Sequence, residues 1–157
     1  MKKIVLAVML LGTLAAVLTG TAHEPDSNQK ANTFKVRHIP LTQEFIQAGT
    51  PIIDIRTQQE WKETGIVPGS HLLTFFSEDG SHDEQGFIKR LQQIADPDTP
   101  LAILCRSGNR SEKVSRFLAG QGFRSVIDIY EGIKGGIARG VTLEPYTDTF
   151  NPKEVKP

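Results

Sequence analysis

The residues with the clearest chemical potential lie in one short segment around a cysteine. Cys105 is the single cysteine of the 157-residue sequence, and Arg106 and Arg110 follow it closely. The apolar run 101–104 predicts a buried strand, and the pattern over 109–119 predicts a helix. A thiol between a strand end and a helix N-terminus faces free backbone N–H groups and the positive end of the helix dipole. Together with the two arginines, this placement favours a reactive thiolate at Cys105.

The same segment is suited to an anionic substrate. Gly108 allows a tight turn that brings N–H groups inward, and Ser107 and Asn109 tolerate turn conformations. Arg106 and Arg110 would hold the negative charge of the substrate. We therefore predict that the substrate-binding residues are those that follow the nucleophile, namely Arg106, Ser107, Gly108, Asn109 and Arg110. The alternative is an ordinary strand-to-helix loop around a buried cysteine, which accounts poorly for two arginines and a glycine directly after it.

Continuous apolar runs alternate with helical patterns along the chain, which predicts an α/β fold with a mainly parallel central sheet and helices on both faces. The expected strands cover 51–56, 71–76, 101–104 and 125–130. Thr57 and Glu60 have the spacing of a capping box, which predicts the start of a helix, and Gly65 is placed to end that helix. A further helix with Phe87, Leu91 and Ile94 on one face is expected before Asp96.

Asp54 and Arg56 end the first of these strands, on the same side of the sheet as the cysteine loop. We interpret them as structural support, in which Arg56 could pair with Glu60; contact with the substrate is the alternative. Ser111, at the far end of the loop, is also expected to support it.

Other polar residues have weaker patterns. Four histidines are scattered (His23, His38, His71 and His82), and no local motif supports a hydrolase-type Cys–His dyad. The acidic loop 77–86 is predicted to be a solvated turn, because its spacing fits no standard metal loop. Neither a metal nor a cofactor is expected.

The first 22 residues predict a secretory signal peptide. Lys2 and Lys3 precede the apolar run 4–17, and the small residues 20–22 follow, so cleavage is expected after Ala22. An uncleaved anchor or a core helix is the alternative, although the run is short for a membrane span. The protein is then expected to be exported to the periplasm, with no stable membrane insertion after cleavage.

The remaining chain divides into a polar lead-in (23–33), a domain (34–141) and a tail (142–157) that is either loose or wrapped over the surface. Lys plus Arg equals Asp plus Glu at 18 each, so no basic excess attracts nucleic acid. A single cysteine in an exported chain can form no internal disulfide, which leaves Cys105 as a free thiol.

The segment Cys-Arg-Ser-Gly-Asn-Arg-Ser at 105–111 resembles the active-site loop of single-domain rhodaneses. The upstream residues 52–56, Glu60-Trp61 and 65–70 resemble the pattern that precedes this loop in the family. The glycines from Gly120 to Gly136 resemble the family's C-terminal part. The sequence departs from the family at Ile66, where a histidine is usual, and at 137–139, where a tryptophan is common.

The resemblance implies a sulfurtransferase in which Cys105 carries a persulfide. It also implies a small anionic sulfur donor such as thiosulfate, and as acceptor a thiol, a thiol-bearing protein or cyanide. The C-x4-R spacing from Cys105 to Arg110 is one residue shorter than the C-x5-R of related dual-specificity phosphatases, which disfavours phosphatase or arsenate chemistry. A persulfide carrier or redox interaction module with little turnover of small donors stays open as an alternative.

Overall fold

The computed structural model describes residues 35–148. The predicted signal peptide (1–22), the lead-in (23–33) and the end of the tail beyond 148 lie outside the described residues. The strands are β1 (Lys35–Ile39), β2 (Ile52–Asp54), β3 (His71–Leu72), β4 (Leu101–Leu104) and β5 (Ser125–Ile129). The helices are α1 (Gln43–Gln47), α2 (Gln58–Thr64), α3 (Glu84–Leu91), α4 (Asn109–Gly120) and α5 (Gly132–Ala138). Within 35–148, no helix has the length and apolar character that a membrane crossing needs.

The strands form one parallel sheet in the order β1-β5-β4-β2-β3. The carboxyl ends of β2, β4 and β5 therefore meet at one edge of the sheet, with β4 in the middle. Ligands of open α/β sheets bind at this edge. Cys105 directly follows β4, so the topology places the thiol at the centre of that edge.

Helices cover both faces of the sheet, as the sequence predicted. Alternate residues of β4 point to opposite sides: Leu101 and Ile103 join one buried cluster, and Ala102 and Leu104 join the other. The first cluster contains residues of α3 and α4, and the second contains residues of α1 and α5. The predicted α/β fold class is confirmed.

Three elements were not predicted: β1, α1 and α5. Helix α5 contains Gly132, Gly135 and Gly136, and glycine is a poor helix former, so local propensity argues against it. Packing explains it, because a Cβ on Gly136 would lie 2.5 Å from Cδ2 of Leu41. The missing side chain lets the helix approach the core closely. The expected strand 71–76 is only two residues long, although Leu73 and Phe75 beyond it are still buried.

The tail is wrapped over the surface as far as it is described. Ile66 and Glu144 exchange two backbone hydrogen bonds of 2.9 Å in an isolated antiparallel bridge. The ring of Tyr146 lies 5.6 Å from that of Trp61, and its hydroxyl accepts a hydrogen bond from Gln58. The packed part of the chain thus continues past residue 141 and contacts α2.

Candidate active site

The cysteine loop lies at the carboxyl edge of the sheet and packs closely against Tyr130 and Gly132, which follow β5. We call this closely packed place the slot. Cys105 is only 1% exposed. Gly108 is the N-cap of α4, with a φ of 97° that L-residues rarely adopt. A Cβ at this position would lie 1.7 Å from the carbonyl oxygen of Tyr130. The glycine is therefore required both by its backbone conformation and by the close approach of the chain after β5.

Two backbone N–H groups donate hydrogen bonds to the sulfur atom of Cys105. The Cys105 Sγ accepts hydrogen bonds from the N–H of Gly108 at 3.1 Å and from the N–H of Ser111 at 3.3 Å. The Ser111 hydroxyl lies 3.5 Å from Sγ and 2.9 Å from the carbonyl oxygen of Gly108. Hydrogen bonds from N–H donors at a helix N-terminus stabilise negative charge on sulfur.

Helix α5 turns the loop carbonyls away from the thiol. The N–H of Ile133 donates to the Cys105 carbonyl at 2.8 Å, and the N–H of Lys134 donates to the Arg106 carbonyl at 3.1 Å. Gly132, which precedes these donors, has a φ of 59°, and a Cβ there would lie 2.5 Å from the Cys105 carbonyl oxygen. Because the carbonyls of Cys105 and Arg106 are hydrogen-bonded to α5, the loop can present its N–H groups to an anion.

Arg110 forms an ion pair with Glu60, the third residue of α2. Two Arg110 nitrogens, Nη1 and Nη2, lie 2.8 and 2.5 Å from Oε2 and Oε1 of Glu60. This bidentate geometry is the strongest arrangement of the two groups. The side chains are 28% and 14% exposed, so solvent screens the pair only in part. We call this pair the clasp.

The clasp is charged at neutral pH. Burial alone would raise the pKa of Glu60, but hydrogen bonds from Arg110 and from the Thr57 N–H, with the positive charges of Arg110 and Arg56, hold it below its ordinary value. Hydrogen bonds to Glu60 raise the pKa of Arg110 against the opposing effect of burial, with smaller contributions from Glu60, Cys105 and Asp54 charges. Because the Glu60 pKa is lowered on folding, the stabilisation by the clasp is present at neutral pH and is lost as the pH falls through that lowered pKa.

Arg56 is a fully buried brace between β2 and α2. Its Nε and Nη2 donate to both carboxylate oxygens of Asp54 at 2.7 to 3.1 Å. The other contacts of the guanidinium reach the hydroxyl of Thr64 and the carbonyls of Glu60 and Gly65. Arg56 thus meets Glu60 through the backbone, and the Glu60 carboxylate pairs with Arg110 instead. The brace positions α2, and through α2 it positions the clasp.

The predicted site residues separate into two groups. Cys105, Gly108 and Ser111 come together around the sulfur, and Ser111 contacts it directly. Arg106, Ser107 and Asn109 are exposed along the rim of the loop, and Arg110 stands beside it in the clasp.

Sequence reasoning missed the contacts that come from distant parts of the chain. Glu60 was recognised as the partner of Thr57 in the capping box, which the structure contains, but not as the partner of Arg110. Tyr130 ends a predicted strand and Gly132 belongs to the glycine pattern noted in the sequence, but neither pattern indicated a contact with the cysteine loop.

Of the polar residues considered for other chemistry, His23 lies outside the described residues, whereas His38, His82 and Asp83 have partners of their own. His38 contacts Asp128 at 2.9 Å, and His82 stacks on Phe75. Asp83 caps α3 by accepting from the N–H of Gly86. Within residues 35–148, no group of three or more His, Cys, Asp or Glu side chains is arranged to hold a metal ion.

Comparison with known proteins identifies the architecture around this loop. The model of the rhodanese-like domain family matches residues 32–138. The chain belongs to the rhodanese family. Its resemblance to single-domain rhodaneses, first drawn from the segment 105–111, is confirmed.

Several members of the family that are similar to this chain are thiosulfate sulfurtransferases by name. The thiosulfate sulfurtransferase GlpE of Ectopseudomonas mendocina is 34% identical over 92 residues, which cover 59% of this chain and 74% of the relative. GlpE of Pseudomonas syringae pv. syringae is 30% identical over 88 residues, which cover 56% and 73%. The crystal structure of a rhodanese-like domain protein from Staphylococcus aureus has a TM-score of 0.50 at 20% identity and covers 71% of this chain and 99% of its own. The chain thus has the rhodanese fold and relatives in the sulfurtransferase class.

Proposed function

We propose that this protein is a sulfurtransferase that moves sulfane sulfur from thiosulfate or a similar donor through a persulfide on Cys105. The observation that carries the proposal is the hydrogen bonding of Sγ by two backbone N–H groups, those of Gly108 and Ser111. This arrangement stabilises negative charge on sulfur in the same way as an oxyanion hole stabilises it on oxygen. The rhodanese fold and the names of the GlpE relatives support this reaction class.

The transfer takes place in two displacements. The Cys105 thiolate attacks the outer sulfur of thiosulfate, an S–S bond forms, and sulfite leaves with the electron pair of the broken bond. Loop N–H groups then hold the terminal sulfur of the persulfide. A thiolate or cyanide attacks that sulfur, takes it away, and returns the Cys105 thiolate. Arg106, on the exposed rim, is suited to attract the anionic donor.

Replacing Cys105 with serine tests the proposal. We expect the wild-type chain from residue 23 onward to form thiocyanate from thiosulfate and cyanide, and Cys105→Ser to form none, because a serine hydroxyl is no substitute for the sulfur nucleophile. Mass spectrometry after incubation with thiosulfate alone should find one added sulfur atom on Cys105. A folded wild-type protein that neither forms thiocyanate nor retains sulfur would rule out the proposed reaction.

A second candidate is a persulfide carrier that serves a partner protein, the alternative that the sequence left open. This candidate predicts a stable persulfide on Cys105 with little thiocyanate formed, and therefore differs from the enzyme in the same pair of measurements. A phosphate ester hydrolysed by the wild type and not by Cys105→Ser would instead support the phosphatase alternative.

We also propose that the protein acts outside the cytoplasm, on the pattern of residues 1–22 alone. Expression of the full chain in a bacterium should give a product in the periplasmic fraction that begins after Ala22, as determined by N-terminal sequencing. A full-length product in the cytoplasmic fraction would contradict this proposal.

A further inference from the structure

The sequence predicted that Arg110 binds the donor, yet the guanidinium of Arg110 already pairs with Glu60. Both of its terminal nitrogens contact the Glu60 carboxylate. An anionic donor that takes both terminal nitrogens in a bidentate pair must displace this carboxylate, and one that binds the remaining N–H groups meets the negative charge of Glu60 beside it. The clasp therefore sets an energetic cost on donor binding at Arg110.

The surroundings of the clasp do not supply the positive charge that Glu60 neutralises on Arg110. A cavity of about 370 Å³ lies beside it, lined by Thr57, Gln59, Glu60, Ser77, Glu78 and Arg110. Two carboxylates and one guanidinium face this space, so its charge is not positive overall. Arg106 differs, because it is exposed and has no ion pair among the described residues.

We propose that Glu60 is a specificity-determining residue that competes with anionic donors for Arg110. The inference rests on the proposed function, and it adds which donors the site disfavours. Donors that present charged oxygens, such as thiosulfate, bind more weakly at Arg110 because they must displace Glu60 or bind next to its negative charge. Donors that deliver sulfur without an oxyanion group, such as an alkyl persulfide, do not meet this competition.

Glu60→Gln removes the charge of Glu60 and retains its structural role. The carboxylate also accepts a hydrogen bond from the N–H of Thr57 at 3.1 Å, which completes the capping box of α2. A glutamine carbonyl can accept the same bond, so the start of α2 is kept. The Coulomb attraction within the clasp is lost, and Arg110 becomes available to an anion.

Glu63→Gln is the matched control. Glu63 lies on the same helix and carries the same charge, but its side chain contacts Gln59 on the helix surface. Both variants change the net charge equally, and only Glu60→Gln opens the clasp. A difference between them therefore reports the pairing with Arg110 and not the general electrostatic field.

We expect Glu60→Gln to lower the KM for thiosulfate about fivefold, with little change in kcat. A fivefold change corresponds to ~1 kcal/mol, the upper end of the interaction energy of solvent-exposed ion pairs. Glu63→Gln should leave KM unchanged. Adding Arg110→Gln to Glu60→Gln should abolish the gain. A higher KM in Glu60→Gln, or an equal fall in Glu63→Gln, would overturn the proposal, because Glu60 would then be aligning Arg110 or acting only through long-range charge.

Alkylation of Cys105 separates this inference from the proposed function. The rate with iodoacetate, an anion, relative to the rate with neutral iodoacetamide should rise about fivefold in Glu60→Gln and stay constant in Glu63→Gln. An unchanged ratio in Glu60→Gln would contradict the competition. If the wild type forms no thiocyanate, the sulfurtransferase proposal fails, while the alkylation ratio still decides the role of Glu60.

Discussion

Replacing Gly108 with alanine is expected to lower the rate of sulfur transfer about 100-fold, because an added Cβ would lie 1.7 Å from the carbonyl oxygen of Tyr130. The loop cannot accept this contact and must move by more than an ångström. Such a movement withdraws the N–H groups of Gly108 and Ser111 from the sulfur. Thiocyanate formation and the rate of Cys105 alkylation, which does not depend on the proposed reaction, would both measure the loss.

Gly122→Ala is the control for Gly108→Ala. Gly122 has the same φ of 97°, but a Cβ there would meet no atom within 4 Å. Both variants carry the backbone strain of an L-residue in this conformation, roughly 1–2 kcal/mol. Only Gly108→Ala adds the collision at the thiol. Equal activity in the two variants would show that the loop tolerates the contact and that the slot is not rigid.

Asp54→Asn is expected to destabilise the folded protein by about 3 kcal/mol or more, because it leaves the Arg56 guanidinium without its counter-charge in a fully buried position. Both side chains are 0% exposed, so water cannot compensate for the lost carboxylate. Urea unfolding monitored by circular dichroism would measure the change in the free energy of unfolding. The slope with urea should stay the same, since the surface exposed on unfolding is unchanged.

Asp98→Asn provides the comparison on the surface. Asp98 pairs with Arg124 at 3.1 Å, and the two side chains are 71% and 59% exposed. Loss of such a pair changes the stability by at most about 1 kcal/mol. If Asp54→Asn were no more harmful than Asp98→Asn, the brace would have no structural role, and the alternative of substrate contact by Asp54 and Arg56 would have to be considered again.

The elements that sequence reasoning located correctly depend on short-range patterns. These patterns involve residues at most eight apart. They are the capping box of Thr57 and Glu60, the end of α2 at Gly65 and the start of α4 at Asn109. Buried parallel strands are continuous apolar runs, which predicted β4 and β5 closely. Helix α5 was missed because its glycines oppose local helix formation. Tertiary contacts explain two of them, since Gly136 packs closely against Leu41 and Gly132 lies against the Cys105 carbonyl.

By itself the sequence determined the α/β class, and it predicted the nucleophile and the anion-binding character of its loop, because each is encoded in neighbouring residues or in the period of apolar positions. Only the tertiary structure decided the partners of these residues. Glu60 and Arg110 are 50 residues apart, and the fold brings them together by placing β2 beside β4. The slot behind the thiol likewise depends on Tyr130 and Gly132, which follow the adjacent strand β5. Contacts between strand ends depend on strand order, and strand order depends on the packing of the entire sheet.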